Sequence, residues 1–529
     1  MILLFVSLLI QLSYSELINQ IKGAKEYENK WGGNISYDLI NNTVLDIVGS
    51  GEMLSAGRNQ YYWRSVKTVA TKIVINDGIT NIPQLAFHDF SNVETLVLGK
   101  DIKTIAPSAF ENWNSLKNII IAEGNNNFIC DNNILYNKDK TELILLLKGL
   151  NLEQLTISST VKSIPDYFFQ NSKLKSITLP TNVESIGEYS FSESHELTSI
   201  TIPAAIKSIG KRAFYNCQNL ASVSIQGNLD KLEDFSFYRC HKLTSVTFTS
   251  KVSIIGNGAF AQCEKLTQIT LPNGITSIGN YAFANCPLSK DFKLPSTLTS
   301  IGESAFYQCT AIENIQLPTG IKSIEPSTFY GCENLQSITI GSDVKTIGEY
   351  AFHKCSKLKQ IELPKTLQTI GKYAFSECNQ LSHISIPPTI KSLEQNTFST
   401  CESLKNITIE GNIETFKNNV FYDCNNLTKI TYLGYESPSK CGKKIFEKTS
   451  VGSIEVSKNY NKQQLCEKYI ITNPQLDGYK PENKPTTNPT TNTTQNGTQN
   501  TPSKPENKNN NGTFSLSMFI SFVLMLLFI

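Results

Sequence analysis

Signatures of catalysis, of metal binding and of nucleic-acid binding are scarce in this chain of 529 residues. It has only 5 histidines, no two at the spacing of metal ligands, so we interpret them as solvated surface residues and expect no cofactor. A glycine-rich phosphate loop, H-E-x-x-H and G-x-S-x-G are all absent, so the sequence does not support an enzyme. The 48 basic and 46 acidic residues nearly cancel, which excludes a global field that attracts nucleic acid.

What the chain does have is a repeat of 23 residues. One copy carries its apolar and turn residues at Leu266, Ile269, Leu271, Pro272, Ile275, Ile278, Gly279, Ala282, Phe283 and Cys286. The phenylalanine recurs with the same period, at Phe191, Phe214, Phe237, Phe260, Phe283, Phe306, Phe329, Phe352, Phe375, Phe398 and Phe421. A fixed period in the twenties with an L-x-x-I-x-L segment is typical of a leucine-rich repeat solenoid. We therefore predict a mainly β repeat protein of about 16 turns.

The turn position of Gly279 is held by glycine in most copies but not in all. Glutamate takes its place at Glu233, Glu325 and Glu394. A strictly positive φ angle would exclude glutamate, so we interpret glycine at this position as preferred and not required.

The two ends of the chain differ from the repeat. Residues 1–15 form an apolar stretch with small residues before a cleavage point, which predicts a signal peptide; a buried N-terminal strand is the alternative. Residues 513–529 form an uncharged hydrophobic end that predicts an anchor signal. This signal specifies either a GPI anchor attached at Asn511 or Gly512, or a short transmembrane segment.

Between the ends, changes in pattern mark further boundaries. Residues 16–65 predict an N-terminal β cap with a hairpin turning at Asn41. The solenoid follows at 66–433, with an inserted hairpin at about 122–151. Residues 434–472 should form a C-terminal cap. Residues 473–512 should form an Asn-, Thr- and Pro-rich disordered stalk, because such a composition cannot bury a core.

Most of the 13 cysteines lie three residues after a repeat phenylalanine. These are Cys217, Cys240, Cys263, Cys286, Cys309, Cys332, Cys355, Cys378, Cys401 and Cys424. Their in-register Cβ atoms should point the same way, and earlier repeats hold Phe90 and Trp113 there. We therefore interpret the cysteines as small buried core residues; a metal ladder or inter-repeat disulfides are the alternatives. Cys441 and Cys466 are the disulfide candidate in the predicted cap, and Cys130 is left over.

The outward strand positions, two per turn, are the candidate binding surface. Solenoids use such continuous faces for extended partners. Most of these positions hold Ser or Thr, which suit any solvated strand, and the stretch from 293 to 362 departs most from that composition. The predicted ligand-binding face is therefore Asp291, Lys293, Asn314, Gln316, Gln360 and Glu362.

Asn-x-Ser/Thr sequons predict N-glycosylation of a secreted chain. They lie at Asn34, Asn41, Asn406, Asn426, Asn492, Asn496 and Asn511. Asn406 falls on an outward strand position, so a glycan there would cover part of the candidate surface.

The motif Leu-x-x-Ile-x-Leu-Pro-x-x-Ile-x-Ser-Ile-Gly-x-x-Ala-Phe-x-x-Cys resembles the BspA-like leucine-rich repeat family of bacterial and protist surface proteins. The resemblance covers residues 30–433, including the entry segment Gly49–Met53 and the hairpin Leu135–Leu143. It implies a cell-surface protein that binds host proteins, extracellular matrix or other cells, and it assigns no role to any residue.

Two functions follow as expectations. The first is an adhesin-type module that binds an extracellular protein or a cell-surface ligand. It would be secreted through its signal peptide and held by its C-terminal anchor on the outer face of the plasma membrane. The alternative is a structural coat protein that self-associates without a specific ligand.

Overall fold

The computed structural model describes residues 34–55, 61–460 and 462–476; the predicted signal peptide and anchor and most of the predicted stalk lie outside them. Within these residues the regular structure is almost all β, and two 3-10 helices span Tyr62–Val66 and Lys148–Leu150. The architecture is a β-solenoid of about 17 turns with a period of about 23 residues, which confirms the predicted fold class.

The strands are numbered in chain order. Before residue 250 they are β1 Ser36–Ile40, β2 Val44–Val48, β3 Lys72–Ile75, β4 Asn81–Ile82, β5 Thr95–Leu98, β6 Thr104–Ile105, β7 Asn118–Ile121, β8 Phe128–Asp131, β9 Ile134–Asn137, β10 Leu143–Leu146, β11 Gln154–Thr156, β12 Ser163–Ile164, β13 Ser176–Thr178, β14 Ser185–Ile186, β15 Ser199–Ile202, β16 Ser208–Ile209, β17 Ser222–Ile225, β18 Leu229–Leu232 and β19 Ser245–Phe248. After it they are β20 Val252–Ile255, β21 Gln268–Ile269, β22 Ser277–Ile278, β23 Ser300–Ile301, β24 Asn314–Gln316, β25 Ser323–Ile324, β26 Ser337–Thr339, β27 Thr346–Ile347, β28 Gln360–Ile361, β29 Thr369–Ile370, β30 His383–Ile386, β31 Ser392–Leu393, β32 Asn406–Ile409, β33 Thr415–Phe416, β34 Lys429–Tyr432, β35 Lys440–Cys441, β36 Ile454–Ser457, β37 Gln464–Leu465 and β38 Lys468–Asn473.

A regular turn contributes one strand to each of two parallel columns. The first column holds the L-x-x-I-x-L segment, as in the sheet β15-β17-β19-β21, where Val246 lies opposite Ile269. The second column holds the Ser-Ile pair, as in the sheet β18-β20-β22-β23, where Ile278 lies opposite Ile301. Equivalent residues lie opposite each other, so the apolar positions of one turn pack on those of the next.

The third side of the coil is a corner closed around the phenylalanine. Alternate amides of the corner donate to carbonyls of the next turn over 2.8–2.9 Å, as from Gly258, Phe260 and Gln262. The phenylalanine rings stack along the solenoid, with 5.5 Å between the centroids of Phe260 and Phe283. The corner therefore joins neighbouring turns through both its backbone and its aromatic core.

Gly279 lies at a close approach between turns and not at a positive φ angle. A Cβ atom on it would lie 2.7 Å from the backbone nitrogen of Asn257. The positive φ angles fall on the residues two before and two after the phenylalanine, such as Tyr281 at 56° and Asn285 at 59°. Glycine at this position thus allows tight packing against the preceding turn.

Thr400 lies at one of these positive φ positions, with φ 58°, where Gly331 lies in an earlier turn. A β-branched residue is strained in this conformation, which costs an L-residue roughly 1–2 kcal/mol. We expect Thr400→Gly to raise the free energy of unfolding by about 0.5–1 kcal/mol, after the entropic cost of glycine. Thr310→Gly is the control, since φ at Thr310 is not positive, and it should destabilise. Urea denaturation measures both; equal losses in the two variants would contradict the strain.

The N-terminal cap is the predicted hairpin. β1 and β2 pair antiparallel around Asn41 and Asn42, whose φ angles are 49° and 60°. β2 then pairs in parallel with β3, so the cap is the first layer of the first column. The ring of Trp63 stacks on Phe87 with 5.5 Å between centroids, and its Nε1 donates to the carbonyl of Ala86 over 2.7 Å. The ring of Tyr61 stacks on Trp63 with 4.9 Å between centroids, so the stack of aromatic rings begins in the cap.

The parallel ladder continues through the region predicted as the C-terminal cap. β36 pairs in parallel with β34, and β35 pairs with β33. The ring of Phe446 stacks on Phe421 with 5.9 Å between centroids, so residues of this region form a further turn. Cys441 and Cys466 form a disulfide with a Cα–Cα distance of 5.7 Å.

The insert at about 122–151 is a three-stranded antiparallel sheet, β8-β9-β10, which we call the partition sheet. Leu135 and Leu145 pack in the apolar core that precedes it, whereas Ile134, Leu143 and Leu146 pack in the core that follows. Strand side chains alternate between faces, so a sheet buried on both faces divides the interior in two. In the described residues neither column crosses this sheet: β7 pairs with β5, and β11 pairs with β13.

Candidate binding surfaces

Four of the six predicted face residues lie together on the first column. Asn314 and Gln316 lie on β24 and Gln360 lies on β28, with β26 between these strands. Glu362 follows β28 directly. All four side chains are exposed, because the alternate apolar residues, such as Ile315, take the inward positions.

Asp291 and Lys293 are exposed but do not lie on a strand, contrary to the prediction. The buried leucine comes one residue early in this turn, at Leu288, and Phe292 stands where other turns have isoleucine. The amide of Phe292 donates to the carbonyl of Ser289 over 3.0 Å, which closes a local turn in place of a ladder bond. β21 and β24 therefore belong to separate sheets, and the outward face comes in segments.

The segment β24-β26-β28, with Glu362, is polar and offers both donors and acceptors. Ser337 on β26 donates from Oγ to Oδ1 of Asn314 over 2.6 Å, which orients that amide. Gln316 and Gln360 are exposed and extend the same surface. The three side-chain amides, the Ser337 hydroxyl and the Glu362 carboxylate suit hydrogen bonding to an extended polar partner.

The sequons within the described residues are all on exposed asparagines. They are Asn34, Asn41, Asn406 and Asn426; the other candidates, Asn492, Asn496, Asn511 and Gly512, lie outside the described residues. Asn406 lies on β32 opposite His383 and on its other side opposite Lys429. Glycosylation of these sites stays a prediction.

The ten repeat cysteines are buried free thiols. Each Sγ donates to the carbonyl of the phenylalanine in the preceding turn; the distance from Cys309 to Phe283 is 3.1 Å. Burial raises the pKa of Cys240 and of Cys332 to about 12. Cys240 and Cys332 are therefore held as neutral thiols, and all ten cysteines lie inside the core.

The role of this position as a donor is a feature that the sequence analysis missed. Trp113 Nε1 donates to the carbonyl of Phe87 over 2.7 Å, and Ser194 Oγ donates to that of Phe169 over 2.8 Å. Tryptophan, serine and cysteine share only a polar hydrogen, so in these turns the position supplies a donor to that carbonyl. Phe90 of the first turn lies at the same position and has no side-chain donor. The change of residue type between repeats was the available signal.

Two of the five histidines, His88 and His353, are buried, contrary to the interpretation of all five as surface residues. Both directly follow a repeat phenylalanine, on the corner side of the coil. The His353 ring lies 5.0 Å from that of Tyr330 and 5.5 Å from that of Tyr350, and its Nδ1 is 3.1 Å from the carbonyl of Ser376. Burial, with a contribution from Lys354, lowers the pKa of His353 to about 4.

The depressed pKa of His353 predicts acid destabilisation. In the unfolded chain histidine titrates near 6.5, so between that pH and 4 the unfolded state binds one more proton than the folded state. The contribution of His353 to stability is therefore present above pH 6.5 and is lost as the pH falls, by about 2–3 kcal/mol at pH 4.5.

Urea denaturation at pH 7 and pH 4.5 measures this effect as the difference between parent and His353→Asn. The variant should be the less pH-dependent of the two, and His383→Asn, at an exposed site, should match the parent. An identical pH dependence in the parent and in His353→Asn would contradict the burial of this ring.

Two further kinds of site were sought in the described residues. Among them, no cluster of three or more His, Cys, Asp or Glu side chains has a metal-binding arrangement. Nor does any helix in those residues have the length and apolar character of a membrane span.

Comparison with known proteins gives a fold and a family. No curated protein matches the chain. The crystal structure of a leucine-rich repeat protein from Bacteroides ovatus is similar over 75% of this chain and 92% of its own, with 24% identity and a TM-score of 0.51; this likeness concerns the fold alone. A leucine rich cell surface protein from Faecalibacterium prausnitzii aligns over 58% of this chain and 94% of its own, with 25% identity and a TM-score of 0.41.

The family model described as a BspA type leucine rich repeat region (6 copies) matches residues 59–151, 144–267, 230–359 and 345–466. These matches overlap and together run from residue 59 to residue 466, which is well over half of the chain. The protein therefore belongs to the BspA-type leucine-rich repeat family.

Proposed function

We propose that the protein is a cell-surface binding module that recognises an extracellular protein or another cell through the β24-β26-β28 face. The observation that carries the proposal is the composition of this face. Asn314, Gln316, Gln360 and Glu362 are exposed on one segment where most other turns present Ser or Thr. These side chains do not pack in the core, so core packing does not determine which residues stand at these positions, and they are available for recognition.

The fold supports a binding scaffold rather than an enzyme. Leucine-rich repeat proteins in general offer an extended surface on a rigid solenoid. Cys240, Cys332 and His353, whose pKa values are strongly shifted by burial, lie in the core and do not converge on an open site. A partner would be held by many modest contacts along the strands.

The binding test uses the full chain displayed on a cell surface. Soluble laminin, fibronectin and collagen, and whole epithelial cells, serve as probes. We expect saturable binding to at least one probe. A variant with Asn314→Ser, Gln316→Thr, Gln360→Ser and Glu362→Thr should lose at least tenfold in affinity. The matched control introduces Ser222→Asn and Ser224→Gln on β17 and should bind as the parent does.

Two results would overturn the proposal. One is binding that the face variant leaves unchanged. The other is self-association of the chain with no binding to any probe, which is the behaviour of a structural coat protein. The Ser222 and Ser224 control separates a specific face from a generally adhesive surface.

The proposed location of the protein on the cell surface can be tested through its proposed anchor. Residues 513–529 are proposed to direct attachment of a GPI anchor at Asn511 or Gly512. A phosphoinositide-specific lipase should then release the protein from intact cells. Retention after lipase treatment would favour the short transmembrane alternative, and absence of the protein from the cell surface would contradict both.

A further inference from the structure

The corner ladder of the solenoid is interrupted next to the partition sheet. In the first turn the amides of Phe87 and Asp89 donate to carbonyls of the second turn, each over 2.9 Å. Their equivalents in the second turn are the amides of Phe110 and Asn112, and the backbone is the same, with φ 66° at both Asp89 and Asn112. Within the described residues these two amides donate to no acceptor. They point to where a next turn would lie.

On the other side of the partition sheet, the corner has backbone carbonyls that lack donors. In the turns after this sheet, the amides of Tyr167 and Phe169 donate to carbonyls of the following turn over 3.0 and 2.7 Å. The equivalent acceptors in their own turn are the carbonyls of Asp166 and Phe168, and neither accepts a hydrogen bond from the described residues. The next acceptor, Gln170, is met by a side chain and not by a backbone amide.

Lys148 supplies that side chain. Its Nζ donates to the carbonyl of Gln170 over 2.7 Å, at the end of the partition sheet. Burial lowers the pKa of Lys148 to about 8, and the neighbouring Glu111 opposes this shift. The Lys148 side chain thus replaces one missing backbone donor. The carbonyls of Asp166 and Phe168 have no such replacement in the described residues.

The space between the two walls is a cleft of about 850 Å³, lined among others by Phe110, Asn112, Ile144, Asp166 and Phe168. That volume lies within the range of natural ligand sites, about 300–1,000 Å³. Phe110 is 6% exposed, and an amide buried without a partner is unfavourable. The cleft therefore has backbone donors on one wall and backbone acceptors on the other, and both are available for hydrogen bonds to a ligand.

The charges that line the cleft are mostly negative. Its carboxylates are Glu111, Glu142, Asp166, Glu188 and Glu233, and Lys148 is the one basic residue of the lining. Glu233 is paired with Lys231 over 2.7 Å, and Glu111 interacts with Lys148, so these two charges are partly compensated and Glu142, Asp166 and Glu188 remain. The remaining excess of negative charge favours a ligand with lysine or arginine.

We propose that this cleft binds an extended, basic peptide segment of a partner protein, which takes the place of one absent corner of the solenoid. Peptide carbonyls would accept from Phe110 and Asn112, and peptide amides would donate to Asp166 and Phe168, as in strand addition to a sheet edge. An aromatic side chain of the peptide would continue the ring stack between the two cores. This site shares no residue with the outward face, so either proposal can fail alone.

The test uses the full chain and a synthetic peptide with the sequence of residues 371–376, acetylated and amidated. This segment, Gly-Lys-Tyr-Ala-Phe-Ser, is the corner of a regular turn and carries a lysine. Hydrogen exchange of the amides of Phe110 and Asn112 is the readout. In the free chain they should exchange at least tenfold faster than Phe214 and Asn216, whose amides are bonded over 2.8 and 2.7 Å. Saturating peptide should slow Phe110 and Asn112 at least tenfold.

Two control peptides and one variant test the register. Methylation of the phenylalanine amide removes a donor to the wall and should weaken binding at least tenfold, whereas methylation of the lysine amide should be tolerated. Glu142→Gln with Glu188→Gln should weaken binding at least threefold, because both carboxylates line the cleft and neither side chain is buried.

Three results would overturn the proposal. Slow exchange of Phe110 and Asn112 in the free chain would mean that a segment of the chain itself fills the cleft. Equal binding of the two methylated peptides would mean a general apolar and acidic contact without ladder bonds. No binding at about 1 mM peptide would mean that the cleft is not a peptide site.

Discussion

Phe306→Ala is expected to lower the free energy of unfolding by about 3–5 kcal/mol, the usual cost of truncating a buried phenylalanine. Its ring lies between those of Phe283 and Phe329, with centroids 5.7 and 5.6 Å away and planes 5° and 4° from parallel. Truncation removes contacts to both neighbours and leaves a cavity that the rigid coil cannot close. Because each turn contacts only its neighbours, the loss should be felt by the turns on both sides.

Phe248→Ala is the matched control for this change. Phe248 lies on β19 and is only partly buried, outside the ring stack. Its truncation should cost clearly less in the same urea denaturation experiment. If the two variants lose equal stability, the stacked corner rings are not the main support of the core.

Titration of thiols should find one reactive group in the native protein and eleven after denaturation. Of the 13 cysteines, two form the Cys441–Cys466 disulfide, ten are buried in the repeat column, and Cys130 is exposed. Thiolate is the reactive form, so exclusion of the reagent protects the buried thiols, and for Cys240 and Cys332 the raised pKa protects them further. Partial desolvation and Asp131 also raise the pKa of Cys130, so its reaction should be slow.

The measurement is a titration with an aromatic disulfide reagent, without reductant, in buffer and in guanidinium chloride. Cys130→Ser is the control and should reduce the native count to zero and the denatured count to ten. Fewer than ten thiols in the denatured variant would indicate disulfides between repeats. Several fast thiols in the native parent would contradict the burial of the column.

The regular part of the fold was predictable because one packing solution is repeated. The period of the phenylalanines and the L-x-x-I-x-L segment determine which residues face inward, and the structure places Leu266, Ile269 and Phe283 in the core. The terminal turn was missed because its spacing is longer, from Phe421 to Phe446, so that the period no longer marks it.

Departures from the repeat were the hardest to predict. Phe292 stands where other turns have isoleucine, and Leu288 comes one residue early, so a turn replaces the strand here. Asp291 and Lys293 therefore do not lie on the predicted face. The partition sheet had a signal that was not used: Leu143–Leu147 is apolar throughout, as expected of a strand buried on both faces. The cleft beside it depends on backbone groups that have no partner among the described residues, and no side-chain pattern in the sequence indicates such groups.

Inward and outward positions of the repeat have different roles. The identities of the inward residues are explained by packing, by the ring stack and by the hydrogen bonds that the repeat cysteines donate. The outward residues Asn314, Gln316, Gln360 and Glu362 are exposed, so we expect their replacement to leave the core unchanged. Stability and recognition should therefore be separable by mutation in this protein.

Measuring stability and binding on the same face variant tests this separation most directly. The full chain with Asn314→Ser, Gln316→Thr, Gln360→Ser and Glu362→Thr should keep its free energy of unfolding within about 0.5 kcal/mol per substitution. Its affinity for the matrix protein or cell that the parent binds should fall at least tenfold. A variant that binds as the parent does, or that loses affinity only because it unfolds, would contradict the assignment of recognition to this face.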